Sequence, residues 1–456
     1  MSRRQQCSPS TINPQDLSET VTAAHAPTRG APWLLTRDFR LVWWSQLLSQ
    51  VADGVSKLAL LWFVYSVTGS PFKTTIIGVL QTVPPILFSP LIGVLVDRFP
   101  KKAILISTDV ARAILIGVIP CMISADRFTV ESLYLLVFLY GIATAMFVPT
   151  LSSSVPFMVS RPQFTAANAL LQSTTSIGII MGPALSGLGI AMSGSQEVLC
   201  LNAATYLASA ACLLPIRLAS PLTSASSTLM TTRPDNPFKA LMRDLVEGMR
   251  YAFGHRSILL IILMASLYTF AAGAFTTLFP VFGKKLLDLG PVEIGFLWSW
   301  LGVGLLLVSI ALMRLTAWEM RGRIQAISLS GVIGGAALCG LVWTHGLLWA
   351  TLLVAIIGIG LGMWTPIAWG LIQEISPAHI VGRVMAIYTA IATAASMIGM
   401  TAFGWIIEAY NEQTGLIGIG IVLFMMAAVA AWFGERVAKE HDAGSESYSK
   451  SRSKFT

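Results

Sequence analysis

The chain is 456 residues long, 55% hydrophobic and only 11% charged, with a mean hydropathy of +0.72 and a formal net charge of +8. This hydropathy excludes an ordinary soluble domain, and apolar runs of roughly 18 residues or more are long enough to cross the hydrocarbon core as helices. The basic surplus sits in short gaps between those runs and in two tails, which is a topology signal and excludes a nucleic-acid surface.

Residues 1–36 are polar, with Pro, Ser and Thr. They lack a charged start followed promptly by an apolar core, so they read as a disordered cytoplasmic tail, not a cleaved signal peptide. Apolar spans then follow at 41–67, 73–96, 103–123, 132–152, 169–192, 197–216, 258–282, 292–313, 325–343, 347–372, 383–407 and 414–434. The runs are continuously apolar and do not alternate, so helices are expected, not a barrel. The fold class is therefore an all-α polytopic membrane protein. Its twelve transmembrane helices form two six-helix halves, at 37–217 and 257–434.

The first span reads RLVWWSQLLSQVADGVSKLALLWFV, and Gln46, Gln50, Asp53 and Lys57 fall on one helix face. A charge at mid-membrane costs about 2.5–3.5 kcal/mol even on insertion scales, so this stripe should face a wet cavity or another helix. Asp53 lies about 20 Å along the span and is the first candidate for proton or cationic-substrate coupling. An internal Asp53–Lys57 ion pair, spaced i,i+4, is the structural alternative. The gap after the second span, GVLVDRFPKKAI, concentrates Asp97, Arg98, Lys101 and Lys102 behind Gly93. Asp109 and Arg112, at i,i+3 in the third span, are read with that cluster as a structural or latch pair.

The fifth span contains GIIMGPALSG, where small residues allow close backbone approach and Pro183 bends the helix. The longest polar break, 218–256, opens as a Ser/Thr-rich linker. It continues as FKALMRDLVEGMRYAFGHR, whose apolar residues at helical spacing predict an amphipathic helix on the membrane surface. The later spans carry no central acid or base. Tyr268, Trp298, Trp364, Trp369 and Tyr388 are candidates for an aromatic pocket wall. Residues 435–456 read as a cytoplasmic tail.

With the N-terminus placed inside, 24 of the 30 Lys and Arg residues fall in cytoplasmic segments and four outside, which puts both termini in the cytoplasm. The halves look related. EMRGR (Glu319 to Arg323) follows the eighth span as DRFPK (Asp97 to Lys101) follows the second, and Gly182 and Gly187 are matched by Gly399 and Gly404. No metal-ligand spacing, Gly-rich phosphate loop or nucleophile–base arrangement stands out. An enzyme, a bound cofactor or metal, and direct ATP driving are therefore not expected.

GVLVDRFPKK resembles the loop between helices 2 and 3 of the major facilitator superfamily, G-x-L-x-D-R-x-G-R-K. Gly93, Leu95, Asp97, Arg98, Lys101 and Lys102 match, and Pro100 stands where the family has glycine. The resemblance implies a cytoplasmic latch, with Asp97 near the start of the eleventh span in the outward-open state. GIIMGPALSG resembles the family's antiporter motif, G-x-x-x-G-P-x-x-G-G, through Gly178, Gly182, Pro183 and Gly187, with Ser186 replacing a glycine. FVPTLSSSVPFMVSRPQFTAANAL and GRVMAIYTA look like the drug-efflux branch that includes macrolide and siderophore exporters. The fourth-span arginine of many other drug antiporters is missing from LYLLVFLYGIATAMF.

The resemblance covers about residues 37–434. It implies a monomer in the cell's inner or plasma membrane that exports amphipathic small molecules by alternating access, with the proton gradient as energy source and protons and lipid as partners. A lysophospholipid translocator is an alternative, as is a non-transporting sensor or scaffold on the same fold.

Overall fold

The computed structural model describes residues 36–159, 163–216, 237–313, 320–344, 346–377 and 380–452. The tail read at 1–36 therefore lies outside the described residues except for Thr36, as does the Ser/Thr-rich opening of the 218–256 break, up to residue 236.

Thirteen α-helices are present among the described residues. The first half holds α1 (Arg37–Thr68), α2 (Pro71–Arg98), α3 (Lys101–Ser124), α4 (Val130–Ser154), α5 (Phe164–Ser193) and α6 (Ser195–Leu213). A short helix, α7 (Pro237–Gly254), precedes the second half. That half is α8 (Arg256–Lys285), α9 (Pro291–Met313), α10 (Met320–Leu341), α11 (Leu347–Ile375), α12 (Val381–Ala409) and α13 (Glu412–Arg452). Among the described residues, ten helices are long and apolar enough to cross a membrane. The other two of the twelve expected spans correspond to α2 and α6, which pack in the same bundle.

Local chemistry sets the helix boundaries. The side chain of Thr36 caps α1 by accepting from the Phe39 amide, and Gly69, at φ 64°, ends the same helix in the left-handed conformation that favours glycine. Thr129 and Ser132 form a reciprocal capping box at the start of α4. Pro100 is the N-cap of α3 at φ −58°, the value proline adopts anyway, so the family's glycine is not needed here for backbone freedom.

The structure adds detail to two peripheral segments. The amphipathic segment is a helix, as its spacing predicts, and α7 packs against α12 and α8, where Glu247 pairs with Arg383 at 2.6 Å. The segment read as a C-terminal tail from 435 continues α13 to Arg452, through helix-forming residues such as Ala438, Lys439 and Glu440.

The two halves share one packing scheme. In the first, α1 packs on α5 and α6, α3 on α6 and α4, and α2 on α4; in the second, α8 packs on α12 and α13, α10 on α13 and α11, and α9 on α11. Between the halves, α5 meets α9 and α2 meets α12, which are equivalent pairs. The glycines matched in sequence occupy matching contacts. A Cβ on Gly182 would lie 2.6 Å from the Gly54 Cα of α1, and one on Gly399 would lie 2.1 Å from the Phe270 carbonyl oxygen of α8. A Cβ on Gly187 would lie 2.2 Å from the Pro291 carbonyl oxygen of α9, and one on Gly404 would lie 2.5 Å from Thr75 Oγ1 of α2.

These inter-half contacts gather at the end of the bundle remote from Thr36. There Lys284 Nζ lies 5.1 Å over the Trp62 ring, and Glu408 at the end of α12 accepts from Ser70 Oγ and, at 3.0 Å, from the Phe72 amide. Glu408 thus sits at the N-terminus of α2, where free N–H groups and the helix dipole favour an anion. Replacing it with alanine should speed hydrogen exchange at the Phe72 amide about tenfold, the loss expected for a hydrogen bond to a charged group. Unchanged exchange would show that Glu408 does not hold this end. At the opposite end, Lys102 donates to the Leu214 and Ile216 carbonyls at 2.6 and 2.8 Å, inside its own half.

Candidate functional site

The stripe on α1 grows more accessible along the helix: Gln46 is buried, Gln50 and Asp53 are half-buried, and Lys57 is exposed. The spacing that aligns them also carries Ser45, Ser49 and Ser56 onto the neighbouring face, toward α3 and α6.

Asp53 does not pair with Lys57. Arg112 of α3 reaches it, with Nη1 3.0 Å from Oδ1 and 3.3 Å from Oδ2. The same guanidinium donates through Nη2 to Asp109. Sequence position alone groups Asp109 and Arg112 with the Asp97 latch cluster. The structure gives them to the Asp53 site, because the i,i+3 pair points into the bundle and not toward the loop. Both side chains are 0% exposed, whereas Asp53 keeps 26%, so Asp53 is the member of the three that water or a proton can reach directly.

Hydroxyl groups complete the site. Tyr206 of α6 donates to Asp53 Oδ1 at 2.7 Å, and the Tyr140 hydroxyl of α4 lies 3.0 Å from the same oxygen and 2.7 Å from the Tyr206 hydroxyl. Asn202 donates to Ser56 Oγ at 2.5 Å, and Ser209 donates to Asp109 Oδ2 at 2.6 Å. Phe147 and Tyr206 lie 4.5 and 4.8 Å from the Arg112 guanidinium, so rings cover its faces. The result is a carboxylate–guanidinium–carboxylate cluster with a chain of hydroxyls leading from Asp53. Such an array can hold a proton and pass it along. The fourth span lacks an arginine, and here the positive charge comes from α3.

Tyr140, Asn202, Tyr206 and Ser209 were not singled out from sequence. A signal existed: Asn202, Tyr206 and Ser209 are spaced 4 and 3 in an otherwise apolar run, the same stripe that marked α1.

The remaining candidates divide. Lys57 Nζ lies 5.4 Å over the ring of Trp298 on α9, across the boundary between the halves. Of the expected aromatic wall, Trp298, Trp364 and Tyr388 are buried in the core. Trp364 Nε1 donates to the Tyr388 hydroxyl at 3.1 Å, so the polar edges of these two satisfy each other inside the core. Tyr268 is half-buried, stacks on Trp364 with centroids 5.4 Å apart and donates to the Leu361 carbonyl at 2.8 Å. Trp369 is exposed.

In the latch segment, Gly93, Arg98 and Phe99 are exposed at the end of α2, and Lys101 lies 5.4 Å over Phe157. Of Asp97 only the backbone is described, at the last turn of α2. In the fifth-span motif, Gly178 and Gly182 face α1, whereas Pro183 and Gly187 face α9. The motif thus joins packing within one half to packing between halves.

Comparison with known proteins agrees with this architecture. The sequence profile of the Major Facilitator Superfamily matches residues 42–393. Macrolide efflux protein A of Streptococcus pyogenes is 21% identical over 87% of this chain and 96% of its own length. The multidrug efflux pump Tap of Mycolicibacterium fortuitum is 23% identical over 86% and 94%. Among solved structures, the nucleoside transporter NupG superposes with a TM-score of 0.65 at 13% identity, over 88% of this chain and 98% of that one. A POT family transporter gives 0.67 at 12%, over 88% and 96%. Both of these share the fold. With the family profile covering most of the chain and a multi-pass bundle of two equivalent halves beneath it, the protein belongs to the major facilitator superfamily, a family of transporters and not of enzymes.

Proposed function

We propose that the protein is a proton-coupled exporter of amphipathic small molecules, macrolide- or siderophore-like compounds included. In this reading it works as a monomer in the plasma membrane with both termini in the cytoplasm. The observation that carries the reading is Asp53: a mid-span carboxylate, partly open, bound to Arg112 and to a chain of tyrosine hydroxyls. Protonation removes the charge that Arg112 and the hydroxyls hold, which changes the relative free energy of two bundle arrangements. The similarity to macrolide and multidrug efflux proteins favours outward transport of drug-like molecules.

Alternating access fits the distribution of contacts. The halves meet through Gly187 and Gly404 at the end remote from Thr36, so the conformation is closed there. With the termini inside, it is the cytoplasm-facing state. Asp97 is proposed as the latch of the opposite state, engaging the start of α12 as Glu408 here engages the start of α2.

Replacing Asp53 with Asn keeps the size of the side chain and removes its titration. In proteoliposomes of the full chain, D53N should lose pH-gradient-driven substrate movement while still binding substrate. Transport by D53N equal to wild type under the same imposed gradient would overturn the coupling role.

A further inference from the structure

We infer that Lys57 is an anion-recognition point where the two halves face each other, taking the acidic group of an amphipathic substrate. The inference rests on the transport reading above and adds a substrate class to it.

Four observations point to it. Lys57 is exposed although it lies about 11 residues, or roughly 16 Å, inside the remote end of α1. Its ammonium faces the other half, 5.4 Å over the Trp298 ring. Its obvious counter-ion is committed elsewhere: Asp53 turns its carboxylate toward Arg112, Tyr140 and Tyr206. Among the described residues, no other carboxylate pairs with Lys57 either.

Among the described residues of the second half, none supplies one at this depth. Asp288 lies in the turn before α9 and Glu293 in its first turn, Glu374 in the last turn of α11, Glu408 in the last turn of α12, Glu412 in the first turn of α13 and Glu435 far along α13 toward the opposite end. Glu374 pairs with Arg323 at 2.5 Å and Glu412 with Lys285 at 2.8 Å. An ammonium inside a membrane bundle is costly unless a counter-charge or an aromatic face compensates it. The ring beneath Lys57 supplies part of that compensation. A carboxylate, sulfonate or acidic phenol on the transported molecule would supply the rest through a charge-assisted hydrogen bond.

The test uses probes that share one aromatic body and differ in charge: pyrenebutyrate, pyrenebutanol and the trimethylammonium analogue. Binding to the purified full chain is measured by equilibrium dialysis against matched empty micelles. Wild type should bind pyrenebutyrate most tightly. K57Q should weaken that binding about tenfold and leave pyrenebutanol within about twofold, while K57R keeps most of the affinity. Lys57→Glu should transfer the preference to the cationic analogue, a gain of binding that misfolding cannot mimic.

Equal losses for all three probes, no loss with K57Q, or a wild-type preference for the cation would each overturn the inference. Movement of pyrenebutyrate in wild-type proteoliposomes under a pH gradient is scored separately. Its absence, with the binding preference intact, overturns proton-coupled export and leaves the anion site standing. Gradient-driven movement that K57Q leaves unchanged overturns the anion site and leaves export standing.

Discussion

Replacing Arg112 with methionine should destabilise the protein by about 3–5 kcal/mol, the cost of stripping a buried ion cluster of one partner. The side chain is 0% exposed and holds two carboxylates at once. Methionine fills a similar volume against Phe147 and Tyr206, so lost packing contributes little. What remains is Asp53 and Asp109 facing each other without the cation between them. Tyr206 and Ser209 still donate to them, but neutral hydroxyls do not replace a guanidinium.

The double variant D109N/R112M removes one of the two carboxylates with the cation, and should recover more than half of the lost stability. Equilibrium unfolding of the full chain in mixed detergent micelles measures both. Wild-type stability in R112M would show that the cluster is hydrated well enough to do without its cation. Equal loss in the single and double variants would show that shape, not charge, is what Arg112 contributes.

The same cluster shows where sequence reading stops. Helical spacing put Gln46, Gln50, Asp53 and Lys57 on one face because that relation is local, fixed by the pitch of a single helix. The partner of Asp53 is not local. Both Lys57, one turn away, and Arg112, on another helix, could neutralise it. The choice depends on how α1 leans on α3 and α6, and that packing also directs Lys57 to the opposite side, against Trp298.

The surroundings of the aromatic candidates were hidden for a related reason. An indole N–H or a phenol suggests a polar wall until its partner is known. Trp364 and Tyr388, 24 residues apart, satisfy each other inside the core. The glycine pairs were legible because a Cβ would meet backbone of a neighbouring helix at Gly182, Gly187 and Gly399, and the Thr75 side chain at Gly404. Gly182 with Gly187 and Gly399 with Gly404 therefore kept both their spacing and their contacts through the two halves. The fold was readable because hydropathy, charge asymmetry and these glycines each report on one helix or one helix pair at a time.

Enlarging Gly187 should lock the bundle away from the conformation described here. A Cβ at this position would stand 2.2 Å from the Pro291 carbonyl oxygen and 3.2 Å from the Gly295 Cα. Both are backbone atoms of α9, so no flexible side chain can give way, and relief requires α5 and α9 to separate. Gly404 makes the equivalent approach on the other side of the interface, but to the Thr75 side chain, which can rotate. Gly187→Ala should therefore weaken closure of the end remote from Thr36 more than Gly404→Ala does.

Gly187→Leu should abolish closure, because four added carbons cannot be accommodated by a shift of a few tenths of an ångström. Under the alternating access proposed above, transport should fall by more than tenfold with it, since a cycle that cannot close one end cannot be completed. Spin labels on Phe72 and Tyr410 replaced by cysteine report the distance across that end. The expected result is a single long population in G187L, against a mainly short one in wild type. Gly182→Leu supplies the contrast. Its clash is with Gly54 of the same half, so it should lower stability without favouring either end. A short distance retained in G187L would show that α5 and α9 slide past one another, and that the closed end does not depend on glycine at this contact.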